Sequence, residues 1–300
     1  MLPRPPAVAG SPAIASPDRR PTAVVYCEAN LGEPDGKTAN GLVRHSERYR
    51  ILAVIDSRHV GRDAGEVLDG VPREIPVRGS LDEVVERCGC VPGFFIFGMA
   101  PTSGVLSADE RTVLLGAMAL GANVVNGLHE FLNDDTEFAA AAVASGVEIV
   151  DIRRPPETKR LHMFSGRINE VGCRRIAVLG TDGAIGKRTT ATVLTSALND
   201  RGIRTVMVST GQTGMIQGAM YGVALDALPA QFCAGEMEAA VVAAHEGENP
   251  DVIVIEGQGA LSHPAYLTSA YILRGGQPHG VVLQHAPARI ADGQFGRHTM

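Results

Sequence analysis

The most chemically loaded stretch of the chain is Gly180-Thr181-Asp182-Gly183-Ala184-Ile185-Gly186-Lys187-Arg188-Thr189-Thr190, set between an apolar run and a helical one. Successive backbone N–H groups at the start of a helix cradle oxyanions, and a lysine adds a point charge. Glycines let the backbone come close to the ligand. The stretch reads as a phosphate-binding loop, with Gly180, Thr181, Asp182, Gly183, Gly186, Lys187, Arg188, Thr189 and Thr190 as its binding residues. Five residues separate Gly180 from Gly186, one more than in the standard loop, and Arg188 takes the position of the usual hydroxyl. Thr189 or Thr190 would then have to ligate any Mg²⁺.

The apolar run Val252–Ile255 ends in Glu256, followed by Gly257-Gln258-Gly259. An acid ending such a strand, downstream of a phosphate loop, is placed to hold Mg²⁺ or to act as a catalytic carboxylate. Between the two lies Ser209-Thr210-Gly211-Gln212-Thr213-Gly214, also just after an apolar run. Thr210, Gln212, Thr213 and Gln258 are thereby expected to touch a substrate, because ligands bind at the C-terminal ends of parallel strands. His263, in Ser262-His263-Pro264, and His129, in Asn126-Gly127-Leu128-His129, are candidate general bases, since imidazole titrates near neutrality. His285, which closes the last apolar run, is expected to touch the substrate or to act as a further base. Lys37, in Gly32-Glu33-Pro34-Asp35-Gly36-Lys37-Thr38, is expected to contact an anionic substrate. Asp56 ends the second strand, where a dinucleotide-binding domain places its ribose-binding acid, but no Gly-x-Gly-x-x-Gly follows the first strand, which argues against NAD.

These residues need strands to carry them. Thr22–Cys27, Arg50–Ile55, Phe94–Phe97, Asn123–Val125 and Val147–Val150 are short β-branched or aromatic runs. Such runs read as buried strands of a parallel sheet. Helical stretches alternate with them. One opens at Ser107 with Glu110 three residues on, a capping box, and another spans 134–145. A second series has strands at Arg175–Leu179, Arg204–Ser209, Asp251–Ile255 and Gly280–Leu283, with helices at Arg188–Leu198 and Ala230–Ala244. The expected fold class is α/β: an N-terminal Rossmann-like parallel-sheet domain, 22–151, and a C-terminal P-loop NTPase-like α/β domain, 174–300. Residues 152–173, basic and interrupted by proline, read as the linker, with its arginines either solvated or facing an anionic ligand in the cleft. Residues 1–21 hold six of the 18 prolines and read as a disordered tail rather than a signal peptide.

Composition narrows the function. The 300 residues carry a net charge of −6, with eight Phe, five Tyr and no Trp. That excludes a polyanion binder and a base-stacking surface, so no nucleic-acid partner is expected. No apolar stretch is long enough for a membrane span. Five scattered cysteines (Cys27, Cys88, Cys90, Cys173 and Cys233) fit reduced thiols in a cytoplasmic protein.

Six stretches in order carry a resemblance: Gly36-Lys37-Thr38-Ala39, Asn126–His129, Gly180-Thr181-Asp182 with Gly186-Lys187, Thr210–Gly214, Glu256–Gly259 and Ser262–Pro264. From about residue 22 to 290 the chain resembles a two-domain P-loop family, long of unknown function, that includes the DgcN-type D-glutamate N-acetyltransferases. The resemblance implies acetyl transfer from acetyl-CoA to the amine of an acidic amino acid, with His263 or His129 as base. The last strand reads Gln284-His285-Ala286-Pro287, where acetyltransferase-type members have Cys-His-Glu-Pro, so an acid is missing at 286. The chain also stops at Met300, where relatives tend to continue. The C-terminal half is similar to dethiobiotin synthetase too, but lacks that enzyme's lysine in the Val208–Gln212 stretch.

Three functions follow as alternatives. An acyltransferase would hold the phosphates of acetyl-CoA in the loop. An ATP-dependent ligase or kinase would use Glu256 and Thr189 for Mg²⁺. A nucleotide-binding switch would catalyse nothing. The substrate is expected to be a small molecule, and a homo-oligomer is compatible with the sequence. If both halves serve one site, their strand ends must face each other, with His129 within about 15 Å of Lys187, a span set by extended-chain reach.

Overall fold

The computed structural model describes residues 20–101 and 103–288, with backbone alone for 291–292 and 296–297. The tail expected over 1–21 lies outside the described residues except for its last two.

The first half alternates strictly: β1 (Thr22–Tyr26), α1 (Lys37–Arg44), β2 (Arg50–Ile55), α2 (Ala64–Asp69), β3 (Val77–Arg78), α3 (Leu81–Cys88), β4 (Phe94–Phe97), α4 (Ala108–Ala119), β5 (Asn123–Asn126), α5 (Thr136–Ser145) and β6 (Ile149–Asp151). Its strands form one sheet in the order β3-β2-β1-β4-β5-β6, every pairing parallel. Val24, Val25, Phe95 and Ile96 are fully buried, as strands covered on both faces require. α4 starts with the expected capping box: Glu110 N donates to Ser107 Oγ at 3.3 Å, and Ser107 N to Glu110 Oε2 at 2.7 Å.

The strand order reverses between β1 and β4, which opens a crevice at their C-terminal ends. The loop after β1 closes over it: Ala39 N donates to Gly98 O at 2.9 Å and Ala100 N to Asp35 O at 2.7 Å. Lys37 thus sits at the N-terminus of α1, on the crevice. Asp56 does not face a ligand. It is fully buried, and its carboxylate accepts from Leu31 N at 3.0 Å and Arg58 N at 2.8 Å, so its lone pairs serve the fold.

The second half runs β7 (Arg174–Gly180), α6 (Lys187–Asn199), β8 (Thr205–Ser209), α7 (Gln212–Gln217), β9 (Tyr221–Gly222), α8 (Ala230–Glu248), β10 (Val252–Glu256), α9 (Thr268–Gly276) and β11 (Gly280–Gln284). Its sheet order is β11-β7-β10-β8-β9, again all parallel.

The basic linker is mostly exposed, with Arg154, Lys159, Arg160 and Arg167 at the surface, and is anchored at a few points. Ile168 is fully buried, and Glu238 of α8 accepts from Ser165 N at 2.7 Å, Ser165 Oγ at 2.9 Å and Ile168 N at 3.1 Å. Burial alone would raise the Glu238 pKa, but these donors outweigh it and hold the carboxyl below its ordinary range.

The two halves meet through α1 and α7. Thr38 Oγ1 and Thr213 Oγ1 lie 3.1 Å apart. The Gln217 amide donates to Gly41 O at 2.7 Å and to His45 O at 2.8 Å, while its backbone carbonyl accepts from Glu47 N at 2.8 Å and Arg48 N at 3.1 Å. The C-terminal ends of both sheets therefore open toward one interdomain cleft.

Candidate functional site

The phosphate loop forms where the strand–helix context places it. β7 ends at Gly180 and α6 begins at Lys187, with Gly186 at φ +92° turning the chain into the helix. A Cβ on Gly186 would lie 3.0 Å from Gln284 Nε2, and one on Gly180 would lie 2.8 Å from Ile185 Cδ1. The loop is thus a bare-backbone cradle, which fits an oxyanion. Lys187 is 6% exposed rather than open to solvent, and its ammonium donates to Asp182 O at 2.6 Å. Gly183 N donates to Asp182 Oδ1 at 2.6 Å. β11 borders the loop: Thr181 N donates to Gln284 O at 3.1 Å, and Thr181 Oγ1 lies 2.8 Å from His285 Nδ1. His285 is exposed beside the cradle.

The residues expected to share Mg²⁺ have other partners or surroundings. Thr189 is exposed on α6, and Thr190 Oγ1 donates to Gln284 Oε1 at 2.8 Å. Glu256 is 6% exposed, and its Oε2 accepts from Ser209 Oγ, from Thr210 N at 3.3 Å and from Arg188 Nη1 at 3.2 Å. A carboxylate neutralised by a guanidinium and two further donors does not fit a metal ligand or a catalytic base. Thr210 is corrected too: it is fully buried, and its hydroxyl donates to Glu256 O at 2.9 Å. Thr213 faces Thr38 across the domain interface.

His263 is not placed as a base. Ala265 N donates to its Nδ1 at 3.0 Å. A neutral imidazole has one lone pair, so this bond assigns the remaining proton to Nε2 and makes that nitrogen a donor.

A second cluster lies at the interface of the halves. Arg153, 5% exposed, donates from Nε to Gly127 O at 2.6 Å and from Nη1 to Asp226. Asp226 Oδ2 also accepts from Gln258 Nε2 at 2.6 Å and lies 3.9 Å from His129 Nε2. The side chain of Gln212 packs on Gly127: a Cβ there would lie 3.3 Å from Gln212 Cγ. Lys37, His129, Arg153 and Asp226 feel one another electrostatically. Burial lowers the Lys37 pKa, Arg153 lowers it further, and Asp226 and Asp35 pull it back. His129 is lowered by burial first and then by Arg153 and Lys37, against the pull of Asp226. Its imidazole is half exposed, and these influences together favour the neutral form, which a general base needs.

Gln212 Nε2, Asp226 Oδ1 and Gln258 Oε1 are buried and make no hydrogen bond among the described residues. Each such atom costs about 1–3 kcal/mol. Three in one cluster, bordering Lys37, Arg153 and His129, offer open hydrogen bonds to a polar ligand. Of the sequence expectations, Lys37, His129, Gln212 and Gln258 meet here. Asp226 was missed: it follows no motif, and an acid within Val223-Ala224-Leu225 and Ala227-Leu228 was the one signal available. Arg153 carried a signal, as an arginine near the cleft.

Residues 57–155 match the model of a Rossmann-like domain of unknown function (DUF1611_N), and residues 162–299 match that of a P-loop domain of unknown function (DUF1611_C). The chain is 36% identical over 197 residues to a D-glutamate N-acetyltransferase from Tritonibacter scottomollicae, covering 65% of this chain and 56% of that one. It is 32% identical over 194 residues to a D-glutamate N-acetyltransferase from Pseudoalteromonas sp, covering 64% of this chain and 56% of that one. The chain thus spans about half the length of these two relatives. The crystal structure of a DUF1611 family protein from Anabaena variabilis superposes with a TM-score of 0.83 at 34% identity, covering 92% of this chain and 78% of that one.

Proposed function

Because the chain belongs to the DUF1611 family, a Rossmann-like unit followed by a P-loop unit, we propose that it is an N-acyltransferase. Its acceptor is the amine of a small acidic amino acid, of which D-glutamate is the first candidate, and its donor is acetyl-CoA. The observation that carries this reading is His129: a half-exposed imidazole 3.9 Å from Asp226, which also pairs with Arg153, at the contact between the two halves and within electrostatic reach of Lys37.

Each residue has a stated task. Gly180–Gly186, Lys187 and the helix N-terminus hold the phosphates of the donor. Lys37 attracts the acceptor's carboxylates, and Gln212 and Gln258 complete their open hydrogen bonds on it. Acetyl-CoA, when bound, supplies an acyl carbon on a thiolate leaving group. His129 accepts the ammonium proton, the amine forms the new N–C bond as the C–S bond breaks, and the second amine proton leaves on the thiolate as the free thiol. Asp226 steadies the imidazolium that results and orients Arg153 and Gln258. Burial, with Arg153 and Lys37, favours the neutral form of His129 beforehand.

The P-loop favours a second reading, ATP-dependent ligation or phosphorylation of a carboxylate, and a non-catalytic nucleotide switch is a third. The switch leaves the His129 cluster without a task, and the bonding of Glu256 to Arg188 weighs against Mg²⁺-dependent ligation. All five cysteines are unbonded, which supports a reducing, cytoplasmic location. No helix among the described residues is long and apolar enough to cross a membrane.

The test is thiol release from acetyl-CoA in the presence of a panel of D- and L-amino acids, run beside phosphate release from ATP and Mg²⁺ with the same panel. The expected result is thiol release that depends on an acidic amino acid and is lost in His129→Gln. Phosphate release without thiol release would move the function to ligation.

A further inference from the structure

The position after a P-loop lysine normally carries the hydroxyl that ligates Mg²⁺. Here it is Arg188. Its guanidinium is fixed from several sides. Nε donates to Gln217 Oε1 at 2.9 Å, and Nη1 reaches Glu256 Oε2 at 3.2 Å and Ser209 Oγ at 3.4 Å. Gly214 makes the room: a Cβ there would lie 2.5 Å from Nη1. Nη2 makes no hydrogen bond among the described residues, and the side chain is 16% exposed. Part of the fork is therefore left for a ligand.

Glu256, the acid at the metal-binding position, is committed to this arginine. A divalent cation drawn to its carboxylate would meet a fixed positive charge at ion-pair distance, where like charges repel strongly. Thr190 is engaged with Gln284, and Thr189 is exposed on α6. An arginine stays charged at any working pH and places two N–H groups on a phosphate in parallel.

We infer that this P-loop binds its phosphate-bearing ligand without a divalent cation: Arg188 supplies the positive charge that a metal supplies elsewhere, and Glu256 is that arginine's counter-ion. The inference rests on reading Gly180–Thr190 as a phosphate cradle. It narrows the ligand class to a phosphate ester or pyrophosphate that is gripped and released intact, as in a coenzyme A thioester. The loop anchors the donor, and the reacting group lies elsewhere, in the cleft.

Calorimetric titration of the full chain with CoA and with ADP, in excess EDTA and in millimolar Mg²⁺, tests it. CoA should bind the wild type with a Kd that differs by less than about twofold between the two buffers. Arg188→Ser, which restores the usual hydroxyl, should weaken CoA binding by about tenfold or more in EDTA. If Arg188→Ser fails to fold because Glu256 is left buried and unpaired, the double variant Arg188→Ser/Glu256→Gln removes both charges and should show the same loss. A wild-type affinity for either probe that rises about tenfold with Mg²⁺ would overturn the inference while leaving the phosphate cradle intact. So would a double variant that binds CoA as the wild type does in EDTA. Failure of the wild type to bind either probe in either buffer would overturn the cradle reading and this inference with it.

Discussion

Replacing Asp226 by alanine tests whether the interdomain cluster is one unit. In the wild type its Oδ2 is shared by Arg153 and Gln258 and lies 3.9 Å from His129. The substitution leaves Arg153, 5% exposed, with Gly127 O as its acceptor and no counter-charge in contact. Breaking a buried ion pair from one side costs about 3–5 kcal/mol. Asp226 is 23% exposed, so water refills part of the gap, and we discount the cost to about 2–3 kcal/mol. The melting temperature should fall by about 2–4 °C per kcal/mol, or roughly 4–12 °C in all. Arg153→Met in the same background removes the stranded charge and should return part of that loss, with a coupling energy of about 1–3 kcal/mol in a double-mutant cycle. The chain has no Trp, so unfolding is best followed by calorimetry and circular dichroism. If Asp226→Ala stays within about 0.5 kcal/mol of the wild type, or the two substitutions simply add, the cluster is not a coupled unit.

His129 takes up its proton less readily folded than unfolded, so stability should rise with pH from its lowered folded value up to about 6.5. His129→Gln should flatten that slope in equilibrium unfolding, and should cut acyl transfer by about 10²–10⁴-fold. Asp226→Asn removes the influence that raises the imidazole and should move the acidic limb of kcat/KM to lower pH, whereas an unmoved limb would place the base elsewhere. Lys37→Met should raise KM for an acidic acceptor by about 10–100-fold with CoA binding unchanged, the loss of a charge-assisted hydrogen bond. Lys187→Ala should do the reverse, abolishing CoA binding in titration calorimetry without unfolding the protein.

Much of this was legible in the residues. The apolar runs and the Ser107–Glu110 box gave strands and a helix because burial on both sheet faces and end-capping leave local patterns. The phosphate loop was legible because strand, glycines, lysine and helix are adjacent in the chain. What was hidden depends on partners far apart in sequence. β3 and β9, two residues each, are strands only because a neighbour pairs with them. Glu256 looked like a metal ligand until the fold set Arg188 against it. Its acid–strand pattern was genuine, but no local signal announces a salt bridge across 68 positions. His263 looked like a base because its type and place were right. Which nitrogen holds the proton depends on Ala265 N. Asp226 and Gln217 carry no motif, and their roles exist only where the two halves touch.

The Gln217 contact has a consequence for how this architecture can change over time. The amide binds Gly41 O and His45 O, and its own carbonyl binds Glu47 N and Arg48 N. On the N-terminal side every one of these groups is main chain. These four bonds are therefore indifferent to the side-chain types at 45, 47 and 48. Position 41 is the exception: a Cβ would lie 2.9 Å from Thr213 Cγ2 and 3.3 Å from Gln217 Nε2. A half transplanted from a relative therefore needs glycine at position 41, together with the side-chain partners Thr38 for Thr213 and Arg153 for Asp226, to dock on this C-terminal half.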